Sequence, residues 1–345
     1  MRARRVICLA SLCSCVVAAQ SPASAQIVES VGSRALGMGG AFVAVASDSS
    51  ATWWNPAGLA AGPYVDLAWG RAVVEATERL PAWRDRTSSF AVATLPIGLS
   101  YYRFRITDIQ PLDPTGQAAA GREDQRAGVP VRSLSTSQFG VTLVRTLTSG
   151  VHAGTTLKYL RGTVRGGRED SFARPSDVLS QGEALDGGNA ESRFDLDVGV
   201  IAIAGPLRLG AVGRNIREPE FGAAGSPPDA PSSGMRIPRQ IRMGAAFHPE
   251  AATAVLTVAV DADMRAYTTS SGVRRIVALG AERWFLAKRL GVRAGGRVNT
   301  QGARERSATA GVTLAMRAGL YLDGHAVRGG AADEKGWGFT TRVSF

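Results

Sequence analysis

The last ten residues of the chain, Gly336–Phe345, alternate between apolar and polar side chains. Trp337, Phe339, Val343 and Phe345 share one phase with one threonine, and glycine, threonine, arginine and serine occupy the other. A period of two is that of a β-strand with one apolar face and one polar face. A strand of about ten residues that is apolar outside and polar inside is the unit of a transmembrane β-barrel. The pattern therefore favours a barrel over the alternative, an edge strand of a soluble sandwich.

The rest of the chain predicts an all-β fold, a 14-stranded antiparallel transmembrane β-barrel over residues 64–345. Short turns alternate with long polar connections, as in barrels whose periplasmic turns are short and whose external loops are long. The candidate strands are Tyr64–Ala72, Ser88–Thr94, Gly98–Ile106, Ser135–Leu147, Val151–Val164, Ser192–Ala204, Leu207–Ile216, Gln240–Phe247, Thr253–Tyr267, Val273–Phe285, Leu290–Asn299, Ala308–Ala315, Gly319–Val327 and Gly336–Phe345.

Both ends of the sequence indicate export. Residues 1–25 have the three regions of a signal peptide: N-terminal arginines, the apolar stretch Val6–Ala19 and the small-residue cleavage site Ala23–Ala25. All three cysteines fall inside this segment, and a lipoprotein cleavage site at Cys15 is the alternative reading. At the other end, the terminal aromatic Phe345 resembles the signal that outer-membrane barrels present to the barrel-assembly machinery. We therefore expect an exported protein of the bacterial outer membrane, in contact with outer-membrane lipid.

The apolar residues on one face of the final strand are the candidate assembly signal. This set comprises Trp337, Phe339, Val343 and Phe345.

Charge and catalytic motifs exclude other classes. The net charge is +11, but it comes from scattered arginines without an aromatic-basic reader motif, so a nucleic-acid partner is not expected. The chain has three histidines and no G-x-S-x-G or H-E-x-x-H motif, so we expect no enzyme, no cofactor and no metal site.

Four charged residues fall on the polar phase of two strands. Asp195 and Asp197 lie on one strand, and Arg293 and Arg297 on another. Because the polar phase faces the barrel interior, we expect all four to line the lumen and the two aspartates to pair with these arginines.

Residues 26–63 remain before the first strand and are predicted to be a plug. A 14-stranded barrel is wider than the eight-stranded size that side chains alone can fill. Gly37, Gly39 and Gly40 would allow positive φ angles and close approach of the backbone.

The second half of this segment carries turn signals. Asp48 could cap a short helical turn, and Asn55-Pro56 has the form of an N-cap followed by proline at the first helical position. Gly58 could end that turn. Trp53 and Trp54 could pack the plug or contact a ligand, and packing is the favoured role.

The run from Gly32 to Leu59 resembles the N-terminal plug of the FadL-like outer-membrane superfamily, and within it the PorV/PorQ branch. The FadL-like resemblance implies a 14-stranded barrel whose hatch gates the passage of long-chain fatty acids or other hydrophobic molecules. The PorV/PorQ resemblance implies a barrel that acts with secretion and surface-assembly components of a type IX kind. The latter is the main prediction, and a channel for a hydrophobic ligand is the alternative.

Overall fold

The structure is a computed structural model that describes residues 30–78, 82–109, 128–169, 173–222, 235–249, 256–269, 272–317, 319–330 and 334–345. The predicted signal peptide, residues 1–25, lies outside the described residues, as do the first residues of the predicted plug, 26–29. Among the described residues, no helix is long and apolar enough to cross a bilayer.

The described part of the chain begins with three short helical turns, and most of its later elements are strands. The turns are α1 (Ser33–Gly37), α2 (Ala51–Trp54) and a 3-10 helix (Pro56–Ala61). The later elements are β1 (Val65–Ala76), β2 (Trp83–Thr94), β3 (Ile97–Ile109), β4 (Val129–Thr148), β5 (Val151–Glu169), α3 (Pro175–Ala184), β6 (Ala190–Ala204), β7 (Leu207–Arg214), β8 (Glu220–Phe221), β9 (Met235–Arg236), β10 (Gln240–Phe247), β11 (Leu256–Asp263), β12 (Tyr267–Thr269), β13 (Gly272–Arg274), β14 (Ile276–Phe285), β15 (Leu290–Asn299), β16 (Arg306–Arg317), β17 (Leu320–Gly329) and β18 (Lys335–Ser344).

Fourteen of these strands form one closed antiparallel barrel, as the sequence predicts. The order around the barrel is β1-β18-β17-β16-β15-β14-β11-β10-β7-β6-β5-β4-β3-β2. β18 closes the barrel against β1, and the backbone N–H of Phe345 donates to the carbonyl of Val65 at 2.9 Å. The pairs β8-β9 and β12-β13 are small hairpins in the connections.

The wall alternates as the sequence pattern predicts. On β6, Phe194, Val198 and Val200 are exposed to 66%, 43% and 45%, whereas Asp195 and Asp197 are exposed to 3% and 1%. The outer face is thus apolar and the inner face polar, which is the arrangement of a barrel that faces lipid.

Several strands extend further toward the long-loop end than predicted. β4 begins at Val129 and β5 ends at Glu169, and the two pair along their whole length. The residues added to β5, 165–169, are arginine, glycine and glutamate, so a pattern built on apolar residues misses them. The predicted strand Thr253–Tyr267 was wrong at its end, because β11 stops at Asp263 and Tyr267 belongs to the β12-β13 hairpin.

The N-terminal segment lies inside the barrel. Its first part, which we call the α1 arm (Val31–Val45), contains α1, which packs against β15 to β18. Its second part, the tryptophan arm (Ala51–Ala61), contains α2 and the 3-10 helix and packs against β3 to β6. Helix α1 and the tryptophan arm therefore lie against opposite parts of the inner wall.

Candidate functional site

The α1 arm is anchored to the wall by buried ion pairs. Arg34 donates from Nε and Nη2 to the two carboxylate oxygens of Glu282 on β14, at 2.8 and 2.9 Å. Glu282 also accepts from Nε of Arg293 on β15 at 2.6 Å, and Arg34 reaches Asp48 at 3.3 Å. One wall carboxylate thus binds a cation from the segment and a cation from the neighbouring strand.

The charges of this cluster hold one another in their ionised forms. Burial disfavours the charged form of Arg34, but the carboxylates of Glu282 and Asp48 outweigh it and raise the pKa of Arg34. Burial alone would raise the pKa of Asp48, but the guanidinium groups of Arg34 and Arg342 hold that pKa below its usual range.

Wall carboxylates also accept bonds from the backbone of the segment. Asp261 on β11 accepts from the N–H groups of Phe42 and Val43 at 2.7 and 2.8 Å, and Asp66 on β1 accepts from the N–H of Ser49 at 2.8 Å. These N–H groups lie in an irregular, buried stretch of chain, where an unsatisfied donor would be costly.

A belt of inward-facing glycines makes room for the segment. A Cβ added at Gly154 on β5 would lie 2.5 Å from the carbonyl carbon of Pro56, closer than real Cβ atoms come. One at Gly311 on β16 would lie 3.0 Å from Cα of Gly37. The glycines whose Cβ would meet the segment at 3.2 Å or less are Gly98, Gly154, Gly199, Gly210, Gly244, Gly280, Gly295 and Gly311. The wall is therefore shaped around this backbone.

The predicted glycine roles in the α1 arm differ among the three positions. Gly39 and Gly40 have φ of 70° and 82°, which glycine adopts without strain. Gly37 belongs to α1, and its role is the close approach to β16.

Asn55 connects the two arms. Its Oδ1 accepts from the N–H of Ala57 at 3.1 Å, and Pro56 follows at the start of the 3-10 helix, as the sequence predicts. Its Nδ2 donates to the carbonyl oxygens of Val43 and Val200 at 2.9 and 3.0 Å. A single buried amide therefore bonds to its own helix, the other arm and β6.

Two predictions for this region need correction. Gly58 does not end the turn, because the 3-10 helix runs to Ala61 with Gly62 as its C-cap. Gly58 instead packs against the backbone of Ala46. Asp48 lies just before α2, where its Oδ1 accepts from the N–H of Ser50, while the N-cap itself is Ser50.

The two tryptophans have different surroundings. Trp54 is fully buried, packs edge-on against Phe42 and donates from Nε1 to the carbonyl of Val31 at 2.9 Å. Trp53 packs against Tyr102 and Phe104 on β3, with ring centroids 5.5 and 5.0 Å away.

An apolar column leads from Trp53 toward the long-loop end of the lumen. Its wall side is formed by inward-facing residues of β3, β4 and β5, and its far end by residues of the connection between β7 and β10. These residues belong to one buried cluster: Trp53, Tyr102, Phe104, Leu134, Leu160, Phe221, Met235 and Ile237. The column is filled, since each of these side chains is at most 5% exposed.

A small cavity lies beside the α1 arm, lined in part by Val31, Arg34, Asp48, Tyr102 and Arg342. Its volume is about 20 Å³, room for about one water molecule. The cavity is therefore much smaller than a drug-sized ligand pocket.

The four predicted lumen charges face inward, but the predicted pairing of the aspartates is wrong. Asp195 and Asp197 both pair with Lys158 on the adjacent β5, at 2.8 and 2.7 Å. Arg293 pairs with Glu282 and Asp323, and Arg297 pairs with Glu334. Because β15 is not a neighbour of β6, these arginines serve a different part of the wall.

The candidate assembly-signal residues lie on or beside β18. Trp337, Phe339 and Phe345 are exposed on the outer face and Val343 is half-buried. Their role in assembly stays a prediction.

Sequence reasoning missed Glu282, Asp261 and Asp66. A usable signal was present: each is a carboxylate on the inward phase of its strand. What could not be read from sequence was that each meets the N-terminal segment.

Comparison with known proteins adds a family and a fold. The family model described as "F plasmid transfer operon, TraF, protein" matches residues 68–263, more than half of the chain. The chain belongs to this family. The description names an operon and no ligand or reaction. No curated protein matches the chain.

Two solved structures with a similar fold are a hydrocarbon channel and a toluene transporter. The chain is similar to the CymD monoaromatic hydrocarbon channel, with a TM-score of 0.61 and 13% identity over 91% of this chain and 97% of that one. It is also similar to the Pseudomonas putida toluene transporter TodX, with a TM-score of 0.55 and 13% identity over 94% of this chain and 99% of that one. At this identity, the likeness shows a shared fold and nothing finer.

Proposed function

We propose that the protein is a gated channel of the bacterial outer membrane that admits small hydrophobic molecules. The gate is the N-terminal segment, and the ligand enters from the long-loop end. The observation that carries the proposal is the apolar column that ends on Trp53 of the tryptophan arm. Moving a polar solute from water to such a lining would not be favourable. An apolar solute would bury its own surface there and replace the contacts that the side chains make with one another.

The closed lumen fits a gate rather than an open pore. Movement of the tryptophan arm away from Tyr102 and Phe104 would open space at the lower end of the column. The fold shared with the toluene and monoaromatic hydrocarbon channels supports the same class of ligand.

Uptake by intact cells tests the proposal. A Gram-negative host that lacks its own hydrocarbon and fatty-acid channels would express the protein, and entry of labelled toluene and oleate would be measured. Wild type should raise the entry rate of at least one of them. Phe104→Asn, which places an amide in the column, should lower that rate severalfold.

The matched control is Phe247→Asn, which makes the same change on the outer face of β10, where Phe247 is 48% exposed. It should keep the wild-type rate, and both variants should show the wild-type gel shift on heating. Equal entry with and without the protein, or equal loss in both variants, would overturn the proposal.

A secretion role of PorV/PorQ type is the second candidate. The resemblance of residues 32–59 to that branch favours it, and a lumen that stays closed would suit it. This role predicts no gain in uptake and co-purification with secretion components after crosslinking. The neighbouring genes would then be expected to include a translocon and its cargo.

A further inference from the structure

Two adjoining rows of side chains cross the outer face of β1 to β6. The lower row is aromatic. Each of its residues is directly opposite the next in the strand register, and all are between 41% and 66% exposed: Trp69, Phe90, Tyr101, Phe139, Tyr159 and Phe194.

The upper row lies two residues nearer the long-loop end on every strand and alternates arginine with serine. In register order it is Arg71, Ser88, Arg103, Ser137, Arg161 and Ser192. We call it the arginine ladder. Its arginines occur on every second strand, about 10 Å apart from the usual strand spacing.

Hydrogen bonds join the aromatic row to the ladder. Both tyrosines of the aromatic row pair their hydroxyl groups with serines of the ladder, Tyr101 with Ser137 at 3.3 Å and Tyr159 with Ser192 at 2.7 Å. Aromatic side chains with an apolar body and a polar tip are enriched where a barrel wall meets the headgroup region.

The ladder arginines are exposed cations on the outer face of the wall. Arg71, Arg103 and Arg161 are all exposed and make no ion pair with any residue in the described part of the chain. Two arginines further up β2 differ. Arg84 and Arg86 both lie within ion-pair distance of Glu183 of α3, which covers the outer face there.

We propose that the arginine ladder binds the phosphate groups of membrane lipids in the leaflet at the long-loop end. Guanidinium groups bind phosphate oxygens in a bidentate manner, and the serine hydroxyls between them can donate to the remaining oxygens. The two rows also adjoin through Arg71, whose guanidinium lies over the Trp69 ring, 5.7 Å from the ring centre. A lipid is the occupant because an acyl chain below the phosphate would lie on the aromatic row.

The proposal needs the barrel to lie in a membrane but not to be a channel. Its test therefore gives an answer even if hydrophobic uptake is absent.

Lipid retention tests the ladder. Protein in phosphatidylcholine nanodiscs with a minor fraction of phosphatidic acid would be released into native mass spectrometry, and the retained lipids counted. Wild type should enrich phosphatidic acid about fivefold or more over its bulk fraction, since each arginine near an anionic surface contributes about a fivefold preference. R71Q/R103Q/R161Q should fall to the bulk fraction, and R103Q alone should show partial loss.

The matched control is R145Q/R283Q/R317Q. These three arginines are also exposed, but they lie toward the short-turn end of the wall. This variant should retain phosphatidic acid as wild type does. Equal retention by wild type and the ladder variants, or equal loss in the control, would overturn the proposal. Titration of detergent-solubilised wild type with inorganic phosphate should show no saturable heat; saturable binding lost in R103Q would mean a free-anion site instead of a lipid site.

Discussion

The α1 arm and the tryptophan arm occupy the same lumen but are held by different forces. Buried carboxylates hold the α1 arm, through Arg34 and the backbone N–H groups of Phe42 and Val43. Packing on aromatic side chains and on glycines holds most of the tryptophan arm. Movement of the first arm would leave charges buried without partners, whereas the second could exchange one apolar surface for another. We therefore expect the tryptophan arm to be the part that moves.

The largest effect is expected from Glu282→Gln. This variant leaves Arg34 and Arg293 without their shared carboxylate, and breaking a buried ion pair costs about 3–5 kcal/mol. Hydrogen exchange with mass spectrometry should show faster exchange in Val31–Val45 than in wild type, with a smaller change in Ala51–Ala61.

Glu305→Gln is the control for that experiment. Glu305 pairs with Arg274 near the rim, with its side chain 27% exposed, and such a pair contributes about 0–1 kcal/mol. Exchange of the α1 arm should stay at the wild-type rate. If Val31–Val45 exchanges no faster in Glu282→Gln than in Glu305→Gln, the arm is not held by its charges.

A smaller effect is expected from Asn55→Ala, which tests whether the arms are coupled. The variant leaves the carbonyls of Val43 and Val200 without the amide donor, at a cost of about 1–3 kcal/mol. Exchange should rise most in Ala51–Ala61. Asn189→Ala, at an exposed position before β6, should change nothing. A double-mutant cycle that combines Asn55→Ala with Glu282→Gln measures the coupling between the arms. Strictly additive changes in exchange would mean that the arms are not coupled.

The smallest effect on protection of the α1 arm from hydrogen exchange is expected when the pH is lowered. The pKa of Asp48 is depressed in the folded state, so its contribution is complete above the unfolded value of about 3.9 and is lost as the pH falls through the folded value. Protection of Val31–Val45 should therefore be flat at neutral pH and decline only below about pH 4.

Asp48→Asn isolates that contribution from those of other carboxylates. The variant should weaken protection of the α1 arm at neutral pH and show a shallower decline in acid than wild type. An identical acid profile in both proteins would assign the decline to other carboxylates.

Much of the fold was predictable because alternation is a local property. A period of two fixes which residues of each strand face out, so the all-β class, the strand count and the inward phase of Asp195 and Asp197 followed from the sequence. The N-cap and proline at Asn55-Pro56 are also local, since they depend on bonds within three residues. Strand ends were less predictable where the wall continues in polar residues, as at the end of β5.

Strand neighbours and register were decided only by the tertiary structure. Lys158, and not Arg293, is the partner of Asp195 and Asp197, because the closed barrel places β5 beside β6 and β15 elsewhere. The arginine ladder and the glycine belt likewise exist only across strands, between residues far apart in the chain. The sequence by itself determined which face each side chain occupies; closure of the barrel around the N-terminal segment decided which side chains meet, because pairing between distant strands depends on register and not on local pattern.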